Sequence, residues 1–479
     1  PGRNGARSGP GKTQFNPVHT LVLNCRSPGS RNCIATGSKK HYANCHVYLI
    51  TALPGRLWWG VSVSALLRRD LLKLLAGASF APVLAYAGYQ SRETSWEAAS
   101  LIRARIKLPE IPKRTFLITE FGARSDGMTD CTQAIEDAIG AASKAGGGRV
   151  AVPPGVFLTG PVHLESHIDL HLEKDATLSF IPEPGRYMPP VFTRWEGMEF
   201  MGYSPLIYAF EKTDVAITGS GTLDGGADDT HWWPWKGPWK GKFHDSEFTQ
   251  KKARDSLFVE AEAGVPPESR IYAEGANLRP PFIQPYRCRN VLVEGVTITR
   301  SPFWLINPVL CNSVTVRGVT CSSFGPNNDG CNPESSHDVL IEGCVFDTGD
   351  DCIAIKSGRN ADGRRIGVAS ENIIVSNCTM KAGHGGVVMG SELSGGIRNV
   401  FVENCRMSSP DLERGIRIKT NAMRGGGVEN LNVRKLEIGT VRDLVVINFL
   451  YEEGENGPFS PVVRDINIVD VHCADAERV

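Results

Sequence analysis

Two adjacent carboxylates, Asp350 and Asp351, sit in the run DTGDDCIAIK (347–356), between a glycine and an alternating apolar segment. Like charges side by side at a strand end are costly unless solvent or chemistry uses them. Alone, the pair reads as a solvated turn. Three other polar groups change that reading: Asn327-Asn328-Asp329 before it, and Gly383-His384-Gly385-Gly386 and Arg417-Ile418-Lys419 after it. Steps of 21, 34 and 33 residues separate Asp329, Asp350, His384 and Arg417. Brought together, these residues suit hydrolysis of a glycosidic bond beside an anionic sugar. One carboxyl must be protonated to release the leaving oxygen, and another must be ionised to activate water. Crowding three acids raises the pKa of at least one. A nearby His helps hold that proton distribution, and the glycines around it let a large substrate approach the backbone. Arg417 and Lys419, two apart on a strand, point the same way and offer charge-assisted hydrogen bonds to a carboxylate. The plainer role for these two bases is to neutralise the acids.

A repeat is what would assemble them. Seven units align as NVLVEGVTI (290–298), SVTVRGVTC (313–321), DVLIEGCVF (338–346), NIIVSNCTM (372–380), NVFVENCRM (399–407), NLNVRKLEI (430–438) and DINIVDVHC (465–473), with an earlier relative, DVAITGSGTL (214–223). Their starts lie 23 to 35 residues apart. Each opens on Asn, Asp or Ser and then alternates apolar with polar. One such strand cannot bury its apolar face, whereas coils stacked on one another can. The expected fold is therefore all-β, a right-handed parallel β-helix. In it the four polar groups, each just after a unit, become neighbours about 5 Å apart along the axis. A β-propeller fits less well, because no four-strand blade period appears. The seventh position reads Val296, Val319, Cys344, Cys378 and Cys405, an interior column in which the cysteines act as buried hydrophobes. No C-x-x-C pair is present, which argues against a structural zinc site.

The rest of the chain frames this stack. Thr129 to Ala145 has helical spacing, with Ala134, Ile135, Ala138, Ile139 and Ala142 on one stripe, and is expected to cap the solenoid at its N-terminal end. Asp130 or Thr129 would cap the helix itself. Residues 226–282 read as an insertion rich in Trp and charge, either a sugar-stacking surface or a local minicore. Residues 88–114 read as a linker, and 115–479 as the β-helix domain, truncated before a polar end cap. Residues 61–87 read as an export signal: Arg68-Arg69-Asp70-Leu71-Leu72-Lys73, a short apolar run and Ala85-Tyr86-Ala87, with cleavage expected before Gly88. RRDLLK resembles the twin-arginine motif of bacteria. Residues 1–60 lack alternation, helical period and Met, and read as translated upstream sequence with the start near Val61 or Val63.

Residues 1–87 carry 11 Lys and Arg against one acid, Asp70, and the remainder carries 41 basic and 51 acidic residues. The body therefore has no excess positive charge to hold nucleic acid by its phosphates. No apolar run is long enough to span a bilayer.

NND, DTGDD, GHGG and RIK, in this order and spacing, resemble the four signature segments of glycoside hydrolase family 28, the polygalacturonases and their relatives. The likeness runs from FGARSDG (121–127) to the end, and GHGGVVMGSELSGGIRNV (383–400) is similar to bacterial exo-acting members. The resemblance implies a metal-free and cofactor-free inverting hydrolase of pectic galacturonan, and the chain is expected to be a monomer. Asp350 would be the general acid, and Asp329 and Asp351 would activate the water. His384 would support the acid's protonation. Arg417 and Lys419 would bind the galacturonate carboxylate, with Asn327 and Gly385 also lining the substrate. Asn328 stands where the best-known members have Thr, which bears on substrate preference. Rhamnogalacturonan or xylogalacturonan hydrolysis, calcium-dependent pectate lysis and non-catalytic carbohydrate binding are the other readings.

Overall fold

The computed structural model describes residues 20–26, 44–50, 92–244 and 248–478. The expected export signal lies outside these residues. Two strands, Thr20–Arg26 and Asn44–Ile50, pair antiparallel within the segment given no element from its sequence.

From Thr115 onward the chain winds as a parallel solenoid. Each central coil has three short strands, exemplified by His337–Glu342, Val345–Thr348 and Ile353–Ile355. The first face stacks Val291, Val314, Val339, Ile373, Val400, Leu431 and Ile466 in one register. The third face stacks Ile207, Ile283, Ile306, Cys331, Ile353, Val387 and Ile416. These side chains point inward and are buried. At about 1.5–3 kcal/mol for each large apolar side chain removed from water, such columns supply the force that closes each coil.

The five units from 290 to 407 are each two strands rather than one, and the last two run on within the long strands Gly427–Asn448 and Val462–Arg478. Their first residues, Asn290, Ser313, Asp338, Asn372, Asn399, Asn430 and Asp465, all have positive φ. So do their sixth residues, Gly295, Gly318, Gly343, Asn377, Asn404, Lys435 and Asp470. A left-handed residue turns the chain at the corner, so the alternation continues past a bend that hydropathy does not register. At the entry corner the amides form a ladder: Asn430 Nδ2 donates to Asn399 Oδ1 at 2.9 Å and Asn399 Nδ2 to Asn372 Oδ1 at 3.0 Å. The column Val296, Val319, Cys344, Cys378 and Cys405 is buried, as its spacing implies.

Two expectations change. The linker 88–114 contains a helix, α1 (Arg92–Arg105), lying on the outer side of the first face. There Leu340, Ile374 and Phe401 point outward in register, and Ala99 and Ile102 cover them. Trp96, Ala99, Ile102 and Ile106 carry the helical spacing that marks this face. The capping helix, α2, is shorter than the expected Thr129 to Ala145, spanning Thr132–Lys144, because Asp126–Asp130 joins the sheet as a strand. All five stripe residues are buried. Asp130 still serves the helix start, accepting from Thr132 N at 3.0 Å.

The insertion packs partly on the main core and partly in a second apolar cluster. Trp232 is buried and meets Tyr187, Tyr203 and Trp235 edge to face. Helix α3 (Lys251–Glu262) buries Ala253, Leu257 and Ala261 beside Trp195, Phe303 and Trp304. Trp232, Trp233 and Trp235 of the insertion pack on the main core rather than on a core of their own, and Trp239 stacks on Phe243.

Candidate active site

The site forms where successive coils turn from the second face into the third. Counting back from the paired Cys331 and Ile353 puts Asp329 beside Asp351, with Gly330 N donating to Asp351 O at 3.0 Å. Counting back from Ile353 and Val387 puts Asp351 beside Gly385 and Asp350 beside His384, whose N donates to Asp350 O at 3.1 Å. Asp329 is therefore the register mate of Asp351, not of Asp350. Arg417 pairs with Val388, three residues further along, so it reaches the site from the strand Arg414–Lys419 itself.

Side-chain oxygens of Asp329, Asp350 and Asp351 all lie within 4.8 Å of one another. Each has a cationic partner. His384 Nδ1 is 3.0 Å from Asp350 Oδ1. Lys419 Nζ donates to Asp351 Oδ2 at 2.7 Å, and Arg417 Nη1 is 3.6 Å from Asp351 Oδ1. Lys356 Nζ is 3.7 Å from Asp329 Oδ2, which also accepts from Asn332 Nδ2 at 2.9 Å. Such a carboxylate triad is close enough to share a cation, but here the countercharge already comes from His, Lys and Arg.

The electrostatics separate the acids. Burial, then the Asp350 charge, pushes Asp329 up to about 8 despite Lys356. Burial alone would also raise Asp350, but His384 outweighs it and holds Asp350 below the ordinary carboxylate range. Asp350 in turn raises His384 to about 9 against the effect of burial. For Lys419, burial works against the charge and Asp351 outweighs it, so its pKa is raised. These directions favour a proton on Asp329 and an ion pair at His384 and Asp350.

Other expected site residues have sharper placements. Gly385 makes room for the triad: a Cβ there would meet Val388 Cγ2 at 2.5 Å and Asp351 Oδ1 at 3.3 Å. Asn327 Oδ1 accepts from Arg279 Nη2 at 2.7 Å. Asn328 is fully buried, accepting from Ser323 Oγ at 2.6 Å and Gly325 N at 2.8 Å and donating to Ser301 O and Phe303 O at 3.1 Å. It organises the loop that presents Asp329, and it does not face a substrate.

The sequence reading missed several neighbours. Tyr451 lies under both Arg417 and Lys419, with their charges 5.3 and 5.1 Å from its ring centre. Arg279, from the insertion, is lowered to about 9 by burial and is near enough to feel Asp350. Glu413 Oε1 is 4.0 Å from His384 Nε2. Lys356 had a signal, a cation ending an otherwise apolar strand; Tyr451 and Arg279 reach the site only through long-range folding. A cleft of about 860 Å³ opens beside His384, lined also by Lys240, Phe324, Lys381 and Asp411.

Residues 269–477 match the model of glycosyl hydrolases family 28. A hyperthermoactive exopolygalacturonase from Thermotoga maritima superposes with a TM-score of 0.73 at 48% identity, over 77% of this chain and 83% of that one. A probable polygalacturonase of Vitis vinifera is 29% identical over 74% of this chain and 67% of its own length. An exo-poly-alpha-D-galacturonosidase of Dickeya chrysanthemi is 27% identical over 71% of this chain. The chain spans 58% of the length of that enzyme. With the coil architecture, the ordered motifs and these likenesses together, the chain belongs to glycosyl hydrolase family 28.

Proposed function

We propose that the protein hydrolyses α-1,4-galacturonosidic bonds of pectic galacturonan from a chain end, as a monomer. The observation that carries this is the carboxylate triad within 4.8 Å, with His384 on Asp350 and basic residues on Asp351, beside an open cleft. Asp350, the most exposed of the three acids and the one touching His384, gives its proton to the glycosidic oxygen as the bond to the anomeric carbon breaks. A water between Asp329 and Asp351 attacks that carbon from the opposite side and loses its proton to one of them. Carboxylate oxygens no more than 4.8 Å apart leave a water at about 2.8 Å from each. The same bound covers the donor Asp350, so acid and base stand closer than the about 6.5–9.5 Å of most inverting pairs, and the stereochemical outcome decides the assignment. The first-formed product anomer, read by proton NMR, tests this: inversion gives the β-anomer, and an α-anomer would overturn it.

The resting proton on Asp329 favours a second assignment, with Asp329 as donor. The reactive form of the first assignment, with Asp350 protonated and Asp329 ionised, holds the same number of protons as the resting form, so it needs only an internal transfer. The roles separate on His384→Asn. With Asp350 as donor, loss of the His384 charge lets Asp350 hold its proton more tightly, and the alkaline limb of the pH profile moves up. With Asp329 as donor, the alkaline limb stays near 8.

Exo action is supported by the names of the relatives and by the insertion, which brings Lys236 and Arg279 within the field of Asp350 and Lys240 into the cleft. Export by the twin-arginine route is supported by RRDLLK and by nine buried cysteines free of disulfides among the described residues, which suit a chain that folds under reducing conditions first.

A further inference from the structure

Lys356 ends the DTGDDCIAIK run, and its ammonium is shared by two carboxylates. Its Nζ donates to Glu392 Oε2 at 3.0 Å and to Gly390 O at 3.2 Å, and stands 3.7 Å from Asp329 Oδ2. Lys356, Glu392 and Asp329 are all buried. Trp304 closes one side, with the ammonium 4.6 Å from its ring centre. Glu392 is itself anchored by Ser391 Oγ at 3.1 Å and Arg359 Nη1 at 3.4 Å. A buried ammonium is tolerated only against carboxylates, and these two compete for it at unequal distances.

We propose that Lys356 is a positioning residue that sets how tightly Asp329 holds its proton, and that Glu392 sets how much of the Lys356 charge reaches Asp329. This rests on Asp329 handling a proton in the triad. Around Asp329 the charged groups are Asp350, Asp351, Lys356 and Lys419. Those around Lys356 are Glu392, Asp329, Lys419 and Asp351, with Glu334 paired to it across the sheet. Around Glu392 they are Lys356, Arg359, Arg424 and Lys419. Lys419 is bonded to Asp351, so Lys356 is the cation left to Asp329.

Opposite signs follow. Removing the Lys356 charge makes Asp329 hold its proton more tightly. Removing the Glu392 charge leaves Lys356 wholly to Asp329, which then releases its proton more readily. A merely structural ion pair would lower activity in both variants without moving the pH profile.

The test is the pH profile of kcat/KM on an oligogalacturonide for the wild type, Lys356→Met and Glu392→Gln. The expected result is displacement by about one unit to higher pH in Lys356→Met and to lower pH in Glu392→Gln, with kcat changing more than KM. Superimposable profiles, or shifts of the same sign, would overturn the proposal. If Lys356→Met does not fold, the downward displacement in Glu392→Gln decides alone. Asp329→Asn separates the two levels. Wild-type rate in that variant defeats the role given to Asp329, whereas an inactive Asp329→Asn with unmoved profiles in the other variants defeats only the coupling to Lys356.

Discussion

Lys419 Nζ donates to Asp351 Oδ2 at 2.7 Å, in a setting where both groups are buried. The cation expected to grip the substrate is therefore already engaged with a carboxylate of the triad. Arg417 is looser, 3.6 Å from Asp351 with its Nε unpaired. Lys419→Ala leaves Asp351 with the looser Arg417 alone, at a cost of up to about 3–5 kcal/mol, so thermal unfolding moves down and kcat falls. Arg417→Ala mainly raises KM for acidic oligosaccharides. Calorimetry and steady-state kinetics on the two variants check this split; an unchanged melting temperature in Lys419→Ala contradicts it.

The pair of His384 and Asp350 predicts a pH window for stability. His384 is raised from 6.5 to about 9, so its contribution is complete below 6.5 and is lost as pH rises through about 9. Asp350 is lowered from 3.8, so its contribution is present above 3.8 and is lost as pH falls. The melting temperature of His384→Asn should lie furthest below wild type between these limits and converge with it above about 9. A constant difference across the range would mean that the ion pair does not form.

Chelation addresses the metal question. With His384, Lys419, Arg417 and Lys356 supplying the countercharge, hydrolysis of polygalacturonate is expected to continue in EDTA without an unsaturated product absorbing in the ultraviolet. Loss of activity, or appearance of that absorbance, points to calcium-dependent lysis.

Asn328 makes hydrogen bonds that Thr cannot reproduce, because only the amide donates to both Ser301 O and Phe303 O. Asn328→Thr leaves Ser301 O to Trp233 Nε1 and Phe303 O to Ser301 Oγ alone, so two hydrogen bonds are lost at about 0.5–1.5 kcal/mol each. The expected outcome is a lower melting temperature with unchanged preference among galacturonan, rhamnogalacturonan and xylogalacturonan. A changed preference would return Asn328 to the substrate surface.

Legibility in the sequence followed the range of the forces involved. The inward columns were readable because period-two alternation and a recurring turn residue are local, and the cysteine column came with them. Coil-to-coil grouping of Asp329, Asp350, Asp351 and His384 followed from the repeat. Their register did not: Asp329 faces Asp351 because coils differ in corner length, which unit starts cannot show. Helix α1 was missed because its apolar face is judged against Leu340, Ile374 and Phe401, more than two hundred residues away in the chain. Arg279 and Tyr451 were missed for the same reason.

The most direct test of the central claim is product analysis on an oligogalacturonide labelled at its reducing end, with wild type and Asp350→Asn side by side. The account predicts that wild type releases unlabelled end units while the labelled chain shortens stepwise, and that Asp350→Asn binds the oligomer without turnover. Labelled fragments of all sizes from the first time point would contradict end-wise cleavage, and wild-type rate in Asp350→Asn would contradict the site itself.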